Sequence, residues 1–144
     1  AEKICELYPS LNRDLLIAGV ILHDLCKIEE YTDEFASGYS VEEQLIGHVV
    51  MISNLIQETA DRLNINGEIP VLLQHMVLAH HGKTDWGSPV EPKLMEAEVL
   101  HHIDMLDSRI NAMEKALEMA KDHDQFTEPV RALGRRRLYK PKNL

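Results

Sequence analysis

"LLIAGVILHDLCKIEEY", residues 15–31, is the stretch on which the fold turns. From Leu15 to Leu22 every residue except Gly19 is apolar, which predicts a buried helix. His23 and Asp24 then stand side by side. Lys27 follows at i+4 from His23, on the same face of a continued helix. Burying a neutral polar group without a partner costs roughly 2–7 kcal/mol, and an ion costs more. Two arrangements compensate for a His-Asp pair in such a place: a hydrogen-bonded ion pair, or a metal ion.

Around this stretch the chain reads as almost entirely helical. Asn12 or Ser10 is placed to cap a helix running to about Tyr31. Thr32 to Tyr39 reads as a loop. Ser40-Val41-Glu42-Glu43 is a capping box opening a helix to about Asn64, with Leu45, Ile46, Val49, Val50, Ile52 and Ile56 at helical spacing. Glu68 to His81 follows, with Pro70 in its first turn and Gly82 as its stop. "GKTDWGSPVEP", residues 82–92, is a loop. Pro92 starts a long helix to about Asp122, with Leu100, Ile103, Leu106 and Ile110 as its core stripe. No alternating strand pattern, internal repeat or low-complexity segment stands out.

Composition bounds the function. A chain of 144 residues with 44% hydrophobic and 27% charged content suits one soluble domain. No apolar run is long enough to span a membrane. The N-terminus lacks both a signal-peptide layout and an initiator Met, as expected of a piece of a longer protein. Two Cys in helix-like apolar contexts make no disulfide framework and fit a reducing cytoplasm. The net charge is −9, yet it is unevenly spread. All 24 Asp and Glu lie at or before Glu128, while six of the 15 Lys and Arg follow Val130. An acidic body is a poor general nucleic-acid binder, although a basic tail or a metal-filled cleft attracts phosphate locally. Aromatic content of 5% offers no evident stacking platform for bases.

Eight His are many for this length. His23, His48, His80, His81 and His101 fall near helix positions that face apolar surfaces. His48 follows Gly47, which lets a backbone or ligand come close. His80 and His81 close a helix beside a loop. Asp104 lies three residues from both His101 and Asp107, and so shares their face. Imidazole and carboxylate suit Zn, Fe, Mn or Ni. No Cys-rich set is present for a structural zinc site. A helical domain whose histidines are merely satisfied core residues explains each of these features singly.

Taken in order, His-Asp, Lys, Gly-His, His-His-Gly and a late His-x-x-Asp resemble the HD-domain metal-dependent phosphohydrolases. Within these, the chain is most similar to the C-terminal HD domain of YhaM-type 3′→5′ exoribonucleases. The resemblance is carried by residues 14–31, by "YSVEEQLIGHVV", by the run from Leu72 to Ile110, and by "LYKP". It implies an all-α, HD-domain bundle of about five to six helices over residues 1–130, lacking its first helix or helices, with a basic C-terminal tail at 131–144.

The resemblance also implies a site. His23, Asp24 and Asp104 would hold one divalent ion. Asp24, His48, His80 and His81 would hold a second, with Asp24 bridging. Manganese is the expected ion, with Fe, Zn, Ni or Co also matching the ligands. Asp24 and Lys27 would be catalytic, with Lys27 over the substrate phosphate. Ser88 in the "WGSP" loop and Arg135 in the tail would also contact substrate.

The expected reaction is hydrolysis of single-stranded RNA or DNA by metal-activated water. Alternatives on the same chemistry are a nucleotide or cyclic-dinucleotide phosphohydrolase, and a catalytically incomplete HD binding module. The whole protein would add an N-terminal OB-fold and would form a homo-oligomer, with no membrane partner. Two departures from the family pattern stand out: no His precedes His23, and Cys26 occupies a position where Gly is usual.

Overall fold

The computed structural model describes residues 1–29 and 38–141. The expected end of the first long helix at Tyr31, most of the loop from Thr32, and Lys142 of the tail lie outside the described residues. Six α-helices are present among those described, and no strands: α1 Glu2–Leu7, α2 Arg13–Leu22, α3 Val41–Leu45, α4 His48–Arg62, α5 Ile69–Ala79 and α6 Met95–Met119. Short 3-10 turns occur at Leu25–Glu29, Thr84–Trp86 and Arg131–Leu133. Among the described residues no helix is long and apolar enough to cross a membrane. The chain forms two compact units, Ala1–His102 and Ile103–Leu144, so the division falls within α6.

In the first unit, α5 serves two hydrophobic clusters. Met76 and Ala79 join Leu16, Ala97 and Leu100 on one side. Val77 joins Cys26, Ile52 and Ile56 on the other. Residues 76 and 77 point about 100° apart on a helix, so one strongly apolar helix can face two cores. Each fully buried Leu, Ile or Met contributes about 1.5–3 kcal/mol. Gly19 lets α2 approach closely, since a Cβ there would run into Met76 and touch Leu100. Two polar ties fix the remaining elements. The Asn12 backbone N–H donates to the buried Glu96 carboxylate at 2.6 Å. Gln74 Nε2 donates to the Ser53 carbonyl at 3.0 Å, joining α5 to α4.

Several helix boundaries differ from expectation. Asn12 is the N-cap of α2 and accepts from Leu15 N at 3.1 Å. That helix ends at Leu22, and His23-Asp24 forms a turn rather than a helix interior. Cys26 is buried in the second core, within a 3-10 turn. The expected helix from Ser40 to Asn64 is two helices, α3 and α4, separated at Gly47 with φ +82°. Ser40 caps α3 through Glu43 N at 3.1 Å, but the Glu43 carboxylate turns to His48 instead of completing the capping box. The last long helix starts at Met95, not Pro92, and ends at Met119. Leu106 and Ile110 are exposed, so the expected core stripe holds at Leu100, is half-buried at Ile103 and fails beyond it.

The second unit continues α6 and then folds its basic segment back on itself. Backbone bonds Thr127 N to Leu138 O, Val130 N to Arg136 O and Lys140 N to Gln125 O, each 2.9 Å, pair residues 125–130 with 136–140. Thr127 and Leu133 are buried. Described residues beyond 130 are therefore paired structure, whereas the change in charge at that point is only compositional.

Candidate metal centre

The candidate ligands of the first unit sit at helix ends. His23 is the C-cap of α2, His80 is the C-cap of α5, and His48 is the first residue of α4. The sequence builds the two C-caps alike, as Val20-Ile-Leu-His23 and Val77-Leu-Ala-His80. In each, ring Nδ1 reaches the carbonyl three residues back: Val20 O at 2.8 Å and Val77 O at 2.6 Å. A carbonyl of a helix's last turn lacks an intrahelical partner, so an imidazole N–H there satisfies it. The bond makes Nδ1 the protonated nitrogen and leaves the Nε2 lone pair directed away from the helix.

His48 is oriented by a different device. Its Nδ1 lies 3.1 Å from Glu43 Oε1, across the break at Gly47. A carboxylate behind an imidazole fixes the ring's tautomer and orientation toward a metal.

These orientations converge. His48, His80 and His81 each offer a nitrogen, all within 4.8 Å of one another. Asp24 Oδ1 lies 3.9 Å from His48 Nε2 and 3.8 Å from His80 Nε2. Asp24 Oδ1, His48 Nε2 and His80 Nε2 are buried, and none has a hydrogen-bond partner among the described residues. Buried polar atoms are nearly always satisfied. Three unsatisfied ones facing a common point fit a divalent cation, for which neutral imidazole and carboxylate are suitable donors. Asp24 Oδ2 is engaged separately, with Lys27 Nζ at 2.8 Å and His23 Nε2 at 3.4 Å.

Protonation agrees with this fit. Burial drives His80 down to about 4, reinforced by the neighbouring His81 and His23 and opposed by the Val77 carbonyl. Its ring is therefore neutral near pH 7, the form that binds metal. Burial pushes the Asp24 carboxyl up, but His23 in its doubly protonated form and Lys27 outweigh it through hydrogen bonding and charge, and hold the group well below the usual carboxylate range.

The other expected site residues lie as follows. Asp104 is half-buried on α6, one turn beyond His101, and belongs to the second unit. Ser88 is buried, its hydroxyl 2.9 Å from Leu78 O and 2.7 Å from Val90 O, so it pins its own loop. Arg135 is exposed in the second unit, at φ +61° after Gly134. Sequence reasoning missed Glu43. Its five-residue spacing from His48 has no helical meaning, and only the break at Gly47 brings the two together. It also left His101 without a role. That ring is buried, and its Nδ1 donates to the His80 carbonyl at 2.8 Å.

Comparison with known proteins agrees with the geometry. Residues 1–109 match the family described as HD domain. The chain is 50% identical over 141 residues to a protein named 3′-5′ exoribonuclease YhaM from Geobacillus sp. strain WCH70, covering 98% of this chain and 43% of that relative. It is 49% identical to the protein of that name from Bacillus licheniformis and 48% identical to that from Bacillus subtilis strain 168, each over 98% of this chain and 45% of the relative. The chain thus spans less than half the length of these curated relatives. No solved structure matches it significantly.

Proposed function

The chain belongs to the HD-domain family, and on that footing we propose that it is a metal-dependent phosphodiesterase acting from the 3′ end of single-stranded RNA. The observation that carries this reading is the convergence of Asp24 Oδ1, His48 Nε2 and His80 Nε2, buried and without hydrogen-bond partners among the described residues. The names of the relatives support RNA and the 3′ end.

In this reading His48, His80, His81 and Asp24 hold one divalent ion. His23, Asp24 and Asp104 hold another, as the family resemblance implies, with manganese preferred. Bound ions would polarise a phosphoryl oxygen and make water nucleophilic near neutral pH. The chain's own residues do the rest. The Val20, Val77 and Glu43 oxygens hold three rings in the ligating tautomer. Lys27, already 2.8 Å from Asp24, is placed to neutralise phosphoryl oxygens as charge develops. Ser88 holds its loop, and Arg135 contributes a substrate contact from the basic segment. A cytoplasmic setting, self-association and a separate nucleic-acid-gripping domain in the whole protein belong to the same proposal. That Cys5 and Cys26 form no disulfide among the described residues, and that the relatives are longer, supports it.

The test is metal content per chain by elemental analysis, beside release of mononucleotides from a 5′-labelled oligoribonucleotide with Mn²⁺. We expect tightly held metal and stepwise 3′ shortening. In His48→Ala, metal affinity should fall by more than the roughly 10–100-fold typical of changes behind a ligand. A chain that retains no Mn²⁺ and leaves the oligomer intact would sink the reading.

A further inference from the structure

The loop after His81 is held at several points, yet it displays a large aromatic ring. Gly82 has φ +81°, and a Cβ there would overlap the His101 ring. Trp86 N donates to Lys83 O at 2.9 Å, and Gly87 N to Thr84 O at 3.0 Å. Ser88, 3% exposed, anchors the far side through its hydroxyl. On this fixed loop Trp86 is 53% exposed. A free surface loop exposes a Trp at little consequence, but a pinned one presents it in a set place.

That place borders the candidate metal centre. The Trp86 ring lies 5.9 Å from the His101 ring, tilted by 36°. His101 in turn bonds the carbonyl of His80. A Cβ on Gly87 would stand 3.7 Å from His81 Nδ1, so the loop also passes directly against a candidate ligand. Lys83 Nζ sits 5.0 Å from the centre of the Trp86 ring.

We propose that Trp86 is a stacking platform for a nucleobase of the substrate, with Lys83 beside it for the adjoining phosphate. This rests on the reading that the substrate is single-stranded nucleic acid. Every base presents a π-face, so one indole grips a strand without regard to sequence. An ammonium over an exposed indole is weakly held, so a base can take that face and leave Lys83 to the backbone. A chain of net charge −9 repels a polyanion at long range, which makes a local aromatic-and-cation pair the more useful. Low aromatic content does not argue against such a platform, because a single ring suffices when it is fixed at the site.

Trp86 is the only tryptophan of the chain, so its emission reports this position alone. The experiment titrates the protein with phosphorothioate oligoadenylate, which resists cleavage, and with an abasic phosphorothioate of equal length. Base-dependent, saturable quenching is expected. By anisotropy of the labelled oligomers, Trp86→Ala should lose about 5–100-fold in oligoadenylate affinity, Trp86→Phe should recover most of it, and abasic binding should not change. Equal affinity of Trp86→Ala and the unmodified protein for oligoadenylate, or equal losses on both oligomers, overturns the proposal. Mn²⁺-dependent cleavage of a normal oligoribonucleotide is read separately. Base-dependent loss in Trp86→Ala without any cleavage would support stacking while removing the hydrolase reading.

Discussion

The chain contains the dipeptide His-His twice, and the two copies have opposite fates. His80-His81 ends α5, and the residues at its two positions turn ring nitrogens toward Asp24 and His48. His101-His102 lies inside α6. There His101 is buried as a support whose Nδ1 holds the His80 carbonyl, and His102 is exposed with its Nε2 3.0 Å from Glu98. Residue type is identical, so the difference comes from the backbone. At a helix end the chain turns, and consecutive side chains are freed to point at one centre. Within a helix consecutive residues diverge by about 100°, so one ring packs inward while the other meets solvent.

Three substitutions probe this contrast. The largest effect on stability is expected from Gly82→Ala. Alanine at φ +81° is strained, and its Cβ would displace His101, the link between the two dipeptides. A loss of roughly 2–4 kcal/mol is expected from strain and overpacking together. Thermal and denaturant unfolding measure it, and an unchanged midpoint would mean that His101 is not a packed support. Glu43→Ala should come next, through ligand orientation. Metal affinity should fall about 10–100-fold, with Glu43→Gln falling less because its amide oxygen still accepts from His48 Nδ1. Competition with a chelating dye reads this without recourse to turnover, and wild-type affinity in Glu43→Ala would remove Glu43 from the site. His102→Ala should do least. Its partner Glu98 is as exposed as it is, and such pairs contribute about 0.5 kcal/mol or less. A drop in metal affinity for His102→Ala would erase the distinction between the dipeptides.

Most of the helices were legible because their apolar spacing is strong: α2, α4 and α5 stand close to where periodicity places them. Their ends were not. Nothing between Leu15 and Tyr31 is a helix breaker, so the stop at Leu22 was invisible. It coincides with the His23 ring satisfying Val20 O and with Cys26 entering the second core. The break at Gly47 is hidden for a related reason: a lone Gly in a helical pattern is ordinarily tolerated, as Gly19 is within α2. Ser88 looked like a substrate contact from its place in "WGSP", yet its hydroxyl is spent on two carbonyls of its own neighbourhood. Glu43 looked like half of a capping box and instead faces His48.

By itself the sequence determined the helical class and the chemical type of the candidate ligands, because hydrophobic period and side-chain donors are local properties. It also placed His23-Asp24, Gly-His48 and His80-His81-Gly in an order similar to that of one family. Tertiary structure decided which nitrogen of each ring faces inward, which carboxylate oxygen lies among those rings, and which neighbouring groups enforce that choice. Those outcomes depend on helix ends from distant parts of the chain meeting within a few ångströms. No spacing along a single segment encodes such a meeting.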